Sequence, residues 1–402
     1  MCVVKAIIFF FLVIYAQHGA QGEIPKRTMH LINSANYKGP YIGVVIPNLF
    51  ELNPLLQSPS FTSSRLTIDF AGRRFRFGTI AGKKVILVMT GLGMVNAGLT
   101  TQMLLSLFRV EGVVHYGIAG NTDPSLHVGD VAIPQYWAHL GLLNWQTVEF
   151  DGDKENEGKQ GESVTEVIVI SDDDEDLQAK GKLKQTPSGK PSSSSIIKKK
   201  EKKFDDDRNG DGPEDELALE AAGDYSRDYG NLRFGDYTSN ISDNSVPNNL
   251  LNRIWYQAEE VFPVDGTPEE RQHIFWVPVD PHYFNLAKRL KSLKLERCVN
   301  ATTCLSTTPK VSTVLRGGSA SIFVDNAAYR NFIYEQFKLS PVEMESAGVA
   351  LICHQQRVPF ITLRALSDLA GGGSVQSNEA DTFLPVAATN SVIAVVEFIE
   401  LL

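Results

Sequence analysis

The stretch Pro341–Ala370 constrains the fold more than any other part of the chain, because it joins a helix to a buried strand. Apolar residues recur at helical spacing over Ala347–His354, and this periodicity stops before Pro359. The following Phe360–Leu363 is rich in β-branched and aromatic residues, which is typical of a strand covered on both faces. The pattern therefore predicts an α/β fold in which this strand ends at Asp368.

Acidic side chains collect around the predicted end of this strand. In open α/β sheets, ligands bind beyond the carboxyl ends of the strands, and Asp368 lies at such an end. Glu343 and Glu345 are predicted to open the helix that precedes the strand. These three carboxylates form a candidate site. The same residues also suit purely structural positions, since acids are favoured in the first turn of a helix and aspartate is common in turns.

A fourth carboxylate follows the first predicted strand. Tyr41–Ile46 has the composition of a buried strand, and Glu51 comes shortly after it at the start of a short helix. We therefore expect Glu51 at the same sheet edge as Asp368. A single glutamate in such a position is more often a solvated helix residue.

A glycine-rich segment, Gly91–Gly98, follows the further predicted strand Lys84–Thr90. The glycines suggest a dinucleotide-binding turn, but Asn96 occupies the position of the third glycine in that fingerprint. The sequence also contains no cluster of residues at zinc-binding spacing. We therefore expect neither a cofactor nor a metal.

The amino-terminal residues Met1–Gly22 have the features of a secretory signal peptide. Lys5 precedes the apolar run Ala6–Ala16, which is too short to span a bilayer, and small residues suitable for cleavage follow. No later segment is predicted to reach membrane-spanning length. We expect a protein of the secretory pathway, extracellular or vacuolar, that does not bind membranes. The net charge of −9 argues against nucleic acid as a partner.

Residues 148–208 differ sharply in composition from the rest of the chain. Lysine, aspartate, serine and glycine dominate there, and such a segment cannot bury enough apolar surface to fold. We expect a disordered insertion in a surface loop. Within it, Val167–Ile170 and the acidic residues that follow resemble a SUMO-interaction motif. A partner outside the secretory lumen conflicts with the signal peptide, so a charged low-complexity insert is the favoured interpretation.

Cysteines and glycosylation motifs support a secretory protein. Cys298 and Cys304 lie six residues apart, and an oxidising compartment favours a disulfide between them. Sequons begin at Asn240 and at Asn300, and they predict glycosylated surface loops.

Two fragments, VEMES at Val342–Ser346 and CHQQRVPFITLRALSDLAG at Cys353–Gly371, resemble the closing motif of the nucleoside phosphorylase and nucleosidase superfamily. The likeness is greatest to methylthioadenosine/adenosylhomocysteine nucleosidases and to plant bark and vegetative storage proteins. It implies a single three-layer αβα domain (phosphorylase/hydrolase-like) with a central mixed, partly barrel-like sheet. Residues 35–147 and 209–402 would form this domain on either side of the insertion. A purine nucleoside is the implied small-molecule partner, and we expect a homo-oligomer.

The resemblance also implies roles for the acidic residues. Asp368 would protonate the leaving base at N7, because burial raises the pKa of a carboxyl group and allows it to act as an acid. Glu51 would activate the attacking water. Glu345 would accept hydrogen bonds from the ribosyl hydroxyls, and Met344 would pack against the ribosyl face. Arg364 would pair with an acidic neighbour, either to hold the site rigid or as a purely structural contact.

Further substrate contacts are expected from the turn formed by Ile118, Ala119 and Gly120, from Ser367, and from Phe323, which would stack on the base or pack in the core. Ile118 stands where nucleosidases commonly carry a serine, and the arginines with which phosphorylases hold phosphate are missing. Hydrolysis is therefore favoured over phosphorolysis. The alternative is a plant storage protein that keeps the fold with a weak or vestigial nucleoside pocket.

Overall fold

A computed structural model of the chain describes residues 24–145, 230–232, 254–372 and 379–402. Several predictions fall outside these residues. They concern the signal peptide at 1–22, the charged insertion at 148–208 with its Val167–Ile170 motif, and the sequon at Asn240.

The described residues form helices and strands that we number in chain order. The strands are β1 Tyr41–Ile46, β2 Phe61–Phe70, β3 Arg73–Ile80, β4 Lys83–Met89, β5 Val110–Asn121, β6 Val131–His139, β7 Leu143–Trp145, β8 Gly230–Leu232, β9 Ile254–Tyr256, β10 Glu259–Val261, β11 Gln272–Ile274, β12 Val277–Pro278, β13 Val311–Ser319, β14 Leu339–Glu343 and β15 Phe360–Leu369. The α-helices are α1 Lys26–Lys38, α2 Leu49–Gln57, α3 Met94–Leu107, α4 Pro281–Ala287, α5 Ala327–Phe337, α6 Ser346–Gln355 and α7 Glu379–Leu401, and a 3₁₀ turn at Lys288–Ser292 continues α4.

A ten-stranded mixed sheet lies at the centre, and five of its strands close on themselves. β15 pairs with β5 and β6, β6 pairs with β13, and β13 pairs with β14. β14 returns to β5 where Val342 lies opposite Gly120. From β5 the sheet continues as an open arm through β1, β4, β3 and β2. The predicted α/β fold with a central mixed, partly barrel-like sheet is confirmed.

The central strands are apolar on both faces because helices cover both faces of the sheet. All six residues of β1 are buried, and so are the first eight of β15. β1, β5 and β15 run parallel, and Val45 and Thr362 both lie level with His115. Because parallel strands end at the same edge, the segment after β1 is brought beside the last residues of β5 and β15.

One predicted helix start is wrong. Glu343 does not open α6 but ends the buried strand β14, and α6 begins at Ser346. The carboxylate of Glu343 accepts hydrogen bonds from the backbone N–H groups of Glu345 and Ser346, at 3.0 Å each. Glu343 therefore satisfies free amides of the first helical turn from outside the helix, which explains why its position resembles a helix start in sequence.

The expectation that no later segment reaches membrane-spanning length is wrong, because Thr382–Leu401 in the last helix is long and apolar enough to cross a membrane. In the structure, 56% of that segment is buried. α7 packs against β15 and β5, with Ala387, Val395 and Phe398 fully buried. Its apolar composition is thus explained by packing against the sheet.

Two smaller features flank the sheet. β7 pairs antiparallel with β9, which also pairs with β8. Cys298 and Cys304 are joined by a disulfide across an exposed loop, and the remaining described cysteine, Cys353, is buried in α6.

The contact between α3 and α6 yields a paired prediction on stability. A Cβ atom on Gly348 would lie 2.9 Å from the carbonyl oxygen of Met94, whereas one on Gly98 would meet only Ile352 at 3.8 Å. We expect Gly98→Ala to raise the free energy of unfolding by about 0.5–1 kcal/mol, because alanine loses less conformational entropy on folding. Gly348→Ala should lower it by about 1–3 kcal/mol, because the backbone must shift.

Urea unfolding followed by circular dichroism measures both changes. Equal effects of the two substitutions would contradict the close approach of α3 and α6 at Gly348.

Candidate active site

Glu51 is fixed at the sheet edge by the start of its own helix. Asn48 Oδ1 accepts hydrogen bonds from the N–H groups of Phe50 (2.8 Å) and Glu51 (3.3 Å), and Glu51 Oε2 accepts one from the N–H of Asn48 (3.1 Å). This capping box determines where the side chain points. The second carboxylate oxygen, Oε1, accepts a hydrogen bond from the N–H of Ile118 at 2.9 Å. Glu51 is only 1% exposed, so it is not a solvated helix residue.

Arg364 occupies the centre of the site, fully buried on β15. Its Nε donates to Ser346 Oγ at 3.0 Å, and its Nη1 donates to the carbonyl oxygen of Ile118 at 3.2 Å. Its Nη2 forms an ion pair with Glu343. Ile118 thus serves both Glu51 and Arg364 through its main chain, while its side chain packs against the core. The absence of a serine side chain leaves these two contacts unchanged.

Three buried carboxylates surround this one guanidinium. Besides the contact with Glu343, Arg364 lies 4.0 Å from Glu51 and 3.6 Å from Glu345. Gly117 of β5 makes this arrangement possible, because a Cβ atom there would overlap with Glu51 Oε1 and Arg364 Nη1. The sequence indicated an acidic partner for Arg364, but it indicated neither the number of partners nor the role of Gly117.

Burial dominates the electrostatics of two carboxyls in the cluster, Glu51 and Glu345. Burial raises the pKa of Glu51 to about 7, against the lowering effect of the Arg364 guanidinium and of the Ile118 N–H. Burial and then the neighbouring Glu343 raise the pKa of Glu345 to about 7, which Arg364 again opposes. Both groups therefore exchange protons near neutral pH, as a general base requires.

Glu345 connects the cluster to two loops. Its Oε1 accepts a hydrogen bond from the N–H of Gly93 at 2.9 Å, and the next N–H, that of Met94, donates to Ser321 Oγ at 3.2 Å. Phe323 lies two residues beyond Ser321 and is 72% exposed, so it is not a core residue. Stacking of Phe323 on a base stays a prediction.

Asp368 lies further along β15, in register with Gly120 of β5. The pairing shifts by one residue between Leu366 and Asp368, and such irregularities redirect side chains near functional sites. Ser367 Oγ is 2.6 Å from Asp368 Oδ1 and 3.3 Å from the carbonyl oxygen of Ala119. The predicted residues thus form two neighbouring groups on β5 and β15, one around Arg364 and one at Asp368.

A cavity of about 980 Å³ opens beside the end of β5 but does not include the carboxylate cluster. Asn121, His127, Arg330, Tyr334 and Leu369 are among its lining residues. It touches the site only through Leu369, the neighbour of Asp368. We locate the candidate active site at the carboxylates, because they are buried, charged and held by ion pairs with one guanidinium and by hydrogen bonds to the main chain.

The fold agrees with the result of a comparison with known protein families. The model that describes the Phosphorylase superfamily matches residues 41–193 and 240–400, which is most of the chain. The chain belongs to the phosphorylase superfamily.

Proteins similar to this chain include plant storage proteins and bacterial nucleosidases. Bark storage protein B of Populus deltoides is 28% identical over 346 residues, covering 86% of this chain and 82% of that protein. The 5'-methylthioadenosine/S-adenosylhomocysteine nucleosidase of Halalkalibacterium halodurans is 44% identical over 89 residues, which are 22% of this chain and 38% of the enzyme. A Helicobacter pylori nucleosidase variant crystallised with 5'-methylthioadenosine has a TM-score of 0.50 at 17% identity, covering 90% of this chain and all of that one. At that identity the likeness shows the fold alone.

The raised pKa of Glu51 predicts a dependence of stability on pH. A carboxyl whose pKa is higher in the folded than in the unfolded protein contributes stability below its unfolded pKa and loses that contribution as pH rises through its folded pKa. For Glu51 these two pKa values are 4.5 and about 7. The loss corresponds to about 3 kcal/mol. Glu51→Gln cannot ionise, so its free energy of unfolding should fall less between about pH 5 and about pH 8.

Urea unfolding of wild type and of Glu51→Gln measures how much this residue contributes to the pH dependence of the free energy of unfolding. His115, whose pKa is lowered well below its ordinary value by burial, acts in the opposite sense below pH 6.5 in both proteins. Glu335→Gln, at an exposed position on α5, is the matched control. Parallel pH profiles for wild type and Glu51→Gln would contradict a raised pKa for Glu51.

Proposed function

We propose that this phosphorylase-superfamily protein hydrolyses the N-glycosidic bond of a purine nucleoside. The observation that carries the proposal is Glu51, a buried carboxyl that burial brings to a pKa of about 7. It lies beside Arg364 at the sheet edge where β15 ends, and Asp368 is the residue before the last of that strand. A base poised near neutral pH, followed along the same edge by a second carboxyl, suits hydrolysis of a bond that needs both an acid and a base.

In the proposed reaction, the bond between the anomeric carbon and the base nitrogen breaks as positive charge develops on the sugar. Asp368 gives a proton to N7 of the purine, so that the base leaves as a neutral molecule. Glu51 takes a proton from the water that attacks the anomeric carbon. Arg364 is a positioning residue, since its guanidinium orients Glu51 and lowers the pKa of that carboxyl. Ser367 holds Asp368 through its hydroxyl.

The remaining predicted residues have roles in binding. Glu345 would accept hydrogen bonds from the ribosyl hydroxyls through its Oε2, since its Oε1 already accepts from Gly93. Met344 is half-buried beside it and would pack against the sugar. Ala119 and Gly120 would approach the nucleoside through their backbone, and the exposed ring of Phe323 would stack on the base.

A storage protein that retains the pocket is the second candidate. The similarity to bark storage protein B extends over 86% of the chain, far more than the match to the Halalkalibacterium nucleosidase. Ile118 also places an apolar side chain where a hydroxyl would otherwise help to hold water. Both observations favour a protein in which turnover is weak, while the carboxylate cluster favours retained binding.

Removal of the proposed acid tests the reaction directly. Asp368→Asn keeps the size of the side chain but cannot donate a carboxyl proton, so we expect base release to fall by about 10²- to 10⁴-fold. The unfolding temperature should stay close to that of wild type. Chromatography of a panel of purine nucleosides, with and without phosphate, measures free base and distinguishes hydrolysis from phosphorolysis.

Asp265→Asn is the matched control, because Asp265 is an exposed aspartate paired with Arg357. Wild-type protein that releases no base from any nucleoside under either condition would exclude the enzyme proposal and leave the storage candidate.

We also propose that the protein enters the secretory pathway and carries a glycan on Asn300. This asparagine is exposed within the disulfide loop, and its Oδ1 accepts hydrogen bonds from the N–H (3.0 Å) and hydroxyl (2.9 Å) of Thr302. Asn300→Gln should remove the mass of one glycan from protein made in plant cells, as measured by mass spectrometry before and after glycosidase treatment.

Asn331→Gln, at an exposed asparagine outside any sequon, should leave the mass of the glycans unchanged. Wild-type protein that glycosidase does not alter would contradict both the modification and the secretory route.

A further inference from the structure

A buried histidine lies directly against the central arginine of the site. His115 is on β5, is fully buried, and contacts Arg364 Nη2 through its Nε2. Its other ring nitrogen, Nδ1, is 2.8 Å from the carbonyl oxygen of Val45 on β1. The imidazole thus spans the space between β1 and β15, the two strands that flank β5.

These two contacts determine the tautomer of His115. A carbonyl oxygen can only accept a hydrogen bond, so Nδ1 must carry the hydrogen that points to Val45. A guanidinium can only donate, so Nε2 must present its lone pair to Arg364. The imidazole is therefore neutral and acts as an acceptor. Burial and the positive charge of Arg364 lower the pKa of His115 well below its ordinary value, in agreement with this assignment.

The histidine completes the set of acceptors around Arg364. Of the two hydrogens on Nη2, one is directed to Glu343 and the other to His115. Nε and Nη1 are already occupied by Ser346 and Ile118. The hydrogen bond to His115 on β5 opposes the attraction of the guanidinium to Glu343. It does so without adding negative charge to a site that already contains three carboxylates.

We propose that His115 is a positioning residue that holds the guanidinium of Arg364 between Glu51 and the pair Glu343 and Glu345. Without this acceptor, the guanidinium is free to move towards Glu343 and away from Glu51. Its stabilisation of the ionised Glu51 then weakens, and the carboxyl becomes a poorer base at neutral pH. The catalytic consequence rests on the proposed nucleosidase function, whereas the effect on the carboxyls does not.

The test must account for the other charged and titratable groups around Arg364. They come from α2, from β5 and from the junction of β14 with α6. They are Glu51, His115, Tyr116, Glu343 and Glu345. Tyr116 donates its hydroxyl to the carbonyl oxygen of Glu51 at 3.0 Å, and burial raises its pKa well above its ordinary value, so it stays neutral throughout the range of interest.

Two substitutions distinguish the role of His115 as a hydrogen-bond acceptor from its role in packing. His115→Leu removes the acceptor and fills a similar volume, and we expect kcat/KM for base release to fall about 10- to 100-fold, mainly through kcat. The acid limb of its pH profile should move to higher pH, because Glu51 loses the effect of Arg364. His115→Gln restores an acceptor at a similar reach and should recover most of both losses.

Val114→Ala is the matched control for packing, because Val114 precedes His115 on β5 and is buried on the opposite face of the strand. It should lower the unfolding temperature without moving the pH profile. A His115→Leu protein that changes only in stability, as Val114→Ala does, would overturn the proposal.

Nuclear magnetic resonance gives a readout that needs no turnover. In ¹⁵N-labelled wild type, His115 should carry its hydrogen on Nδ1 and none on Nε2. In ¹³C-labelled protein, the Glu51 carboxyl should titrate at higher pH in His115→Leu than in wild type. A hydrogen on Nε2, or an unchanged Glu51 titration, refutes the positioning role. If wild type cleaves no nucleoside and Glu51 still shifts, the proposed function fails and the positioning role stands.

Discussion

One buried guanidinium determines the charge balance of this site. Arg364 lies among three carboxylates that are each less than a tenth exposed, and its other hydrogen bonds go to neutral acceptors. Burial raises the pKa of Glu51 and of Glu345 to about 7, and the single positive charge of Arg364 lowers these values only in part. Removing one partner of a buried ion pair typically costs about 3–5 kcal/mol, because the other charge is left uncompensated. Folding and proton transfer therefore depend on the same residue.

The sheet brings these groups together from distant parts of the chain. β1, β5 and β15 run parallel, so the capping box after β1 places Glu51 beside the last residues of β5. Ile118 then connects Glu51 to Arg364 through main-chain atoms alone. Both contacts use main-chain atoms of Ile118, so they do not depend on the identity of its side chain.

Local sequence patterns were sufficient to predict the strand ends and hence the shared edge of Glu51 and Asp368. They failed where a residue's role depends on distant partners. Glu343 resembles a helix start because acids are common there, yet pairing with β13 and β5 makes it the end of a strand. The role of His115 could not be predicted, because sequence alone cannot show that Arg364 lies against it. The hydropathy of α7 reflects the sheet beneath it, which a local pattern does not reveal.

Because β7 pairs with β9, the geometry of the site does not depend on the length of the chain between these two strands. Trp145 and Ile254 lie opposite each other in an antiparallel ladder, so these two strand residues are held side by side although they are far apart in sequence. The entropy of closing such a loop grows only with the logarithm of its length. A change in the number of residues between β7 and β8 therefore leaves β5 and β15 in place. The protein can acquire new sequence there at almost no structural cost to its carboxylates.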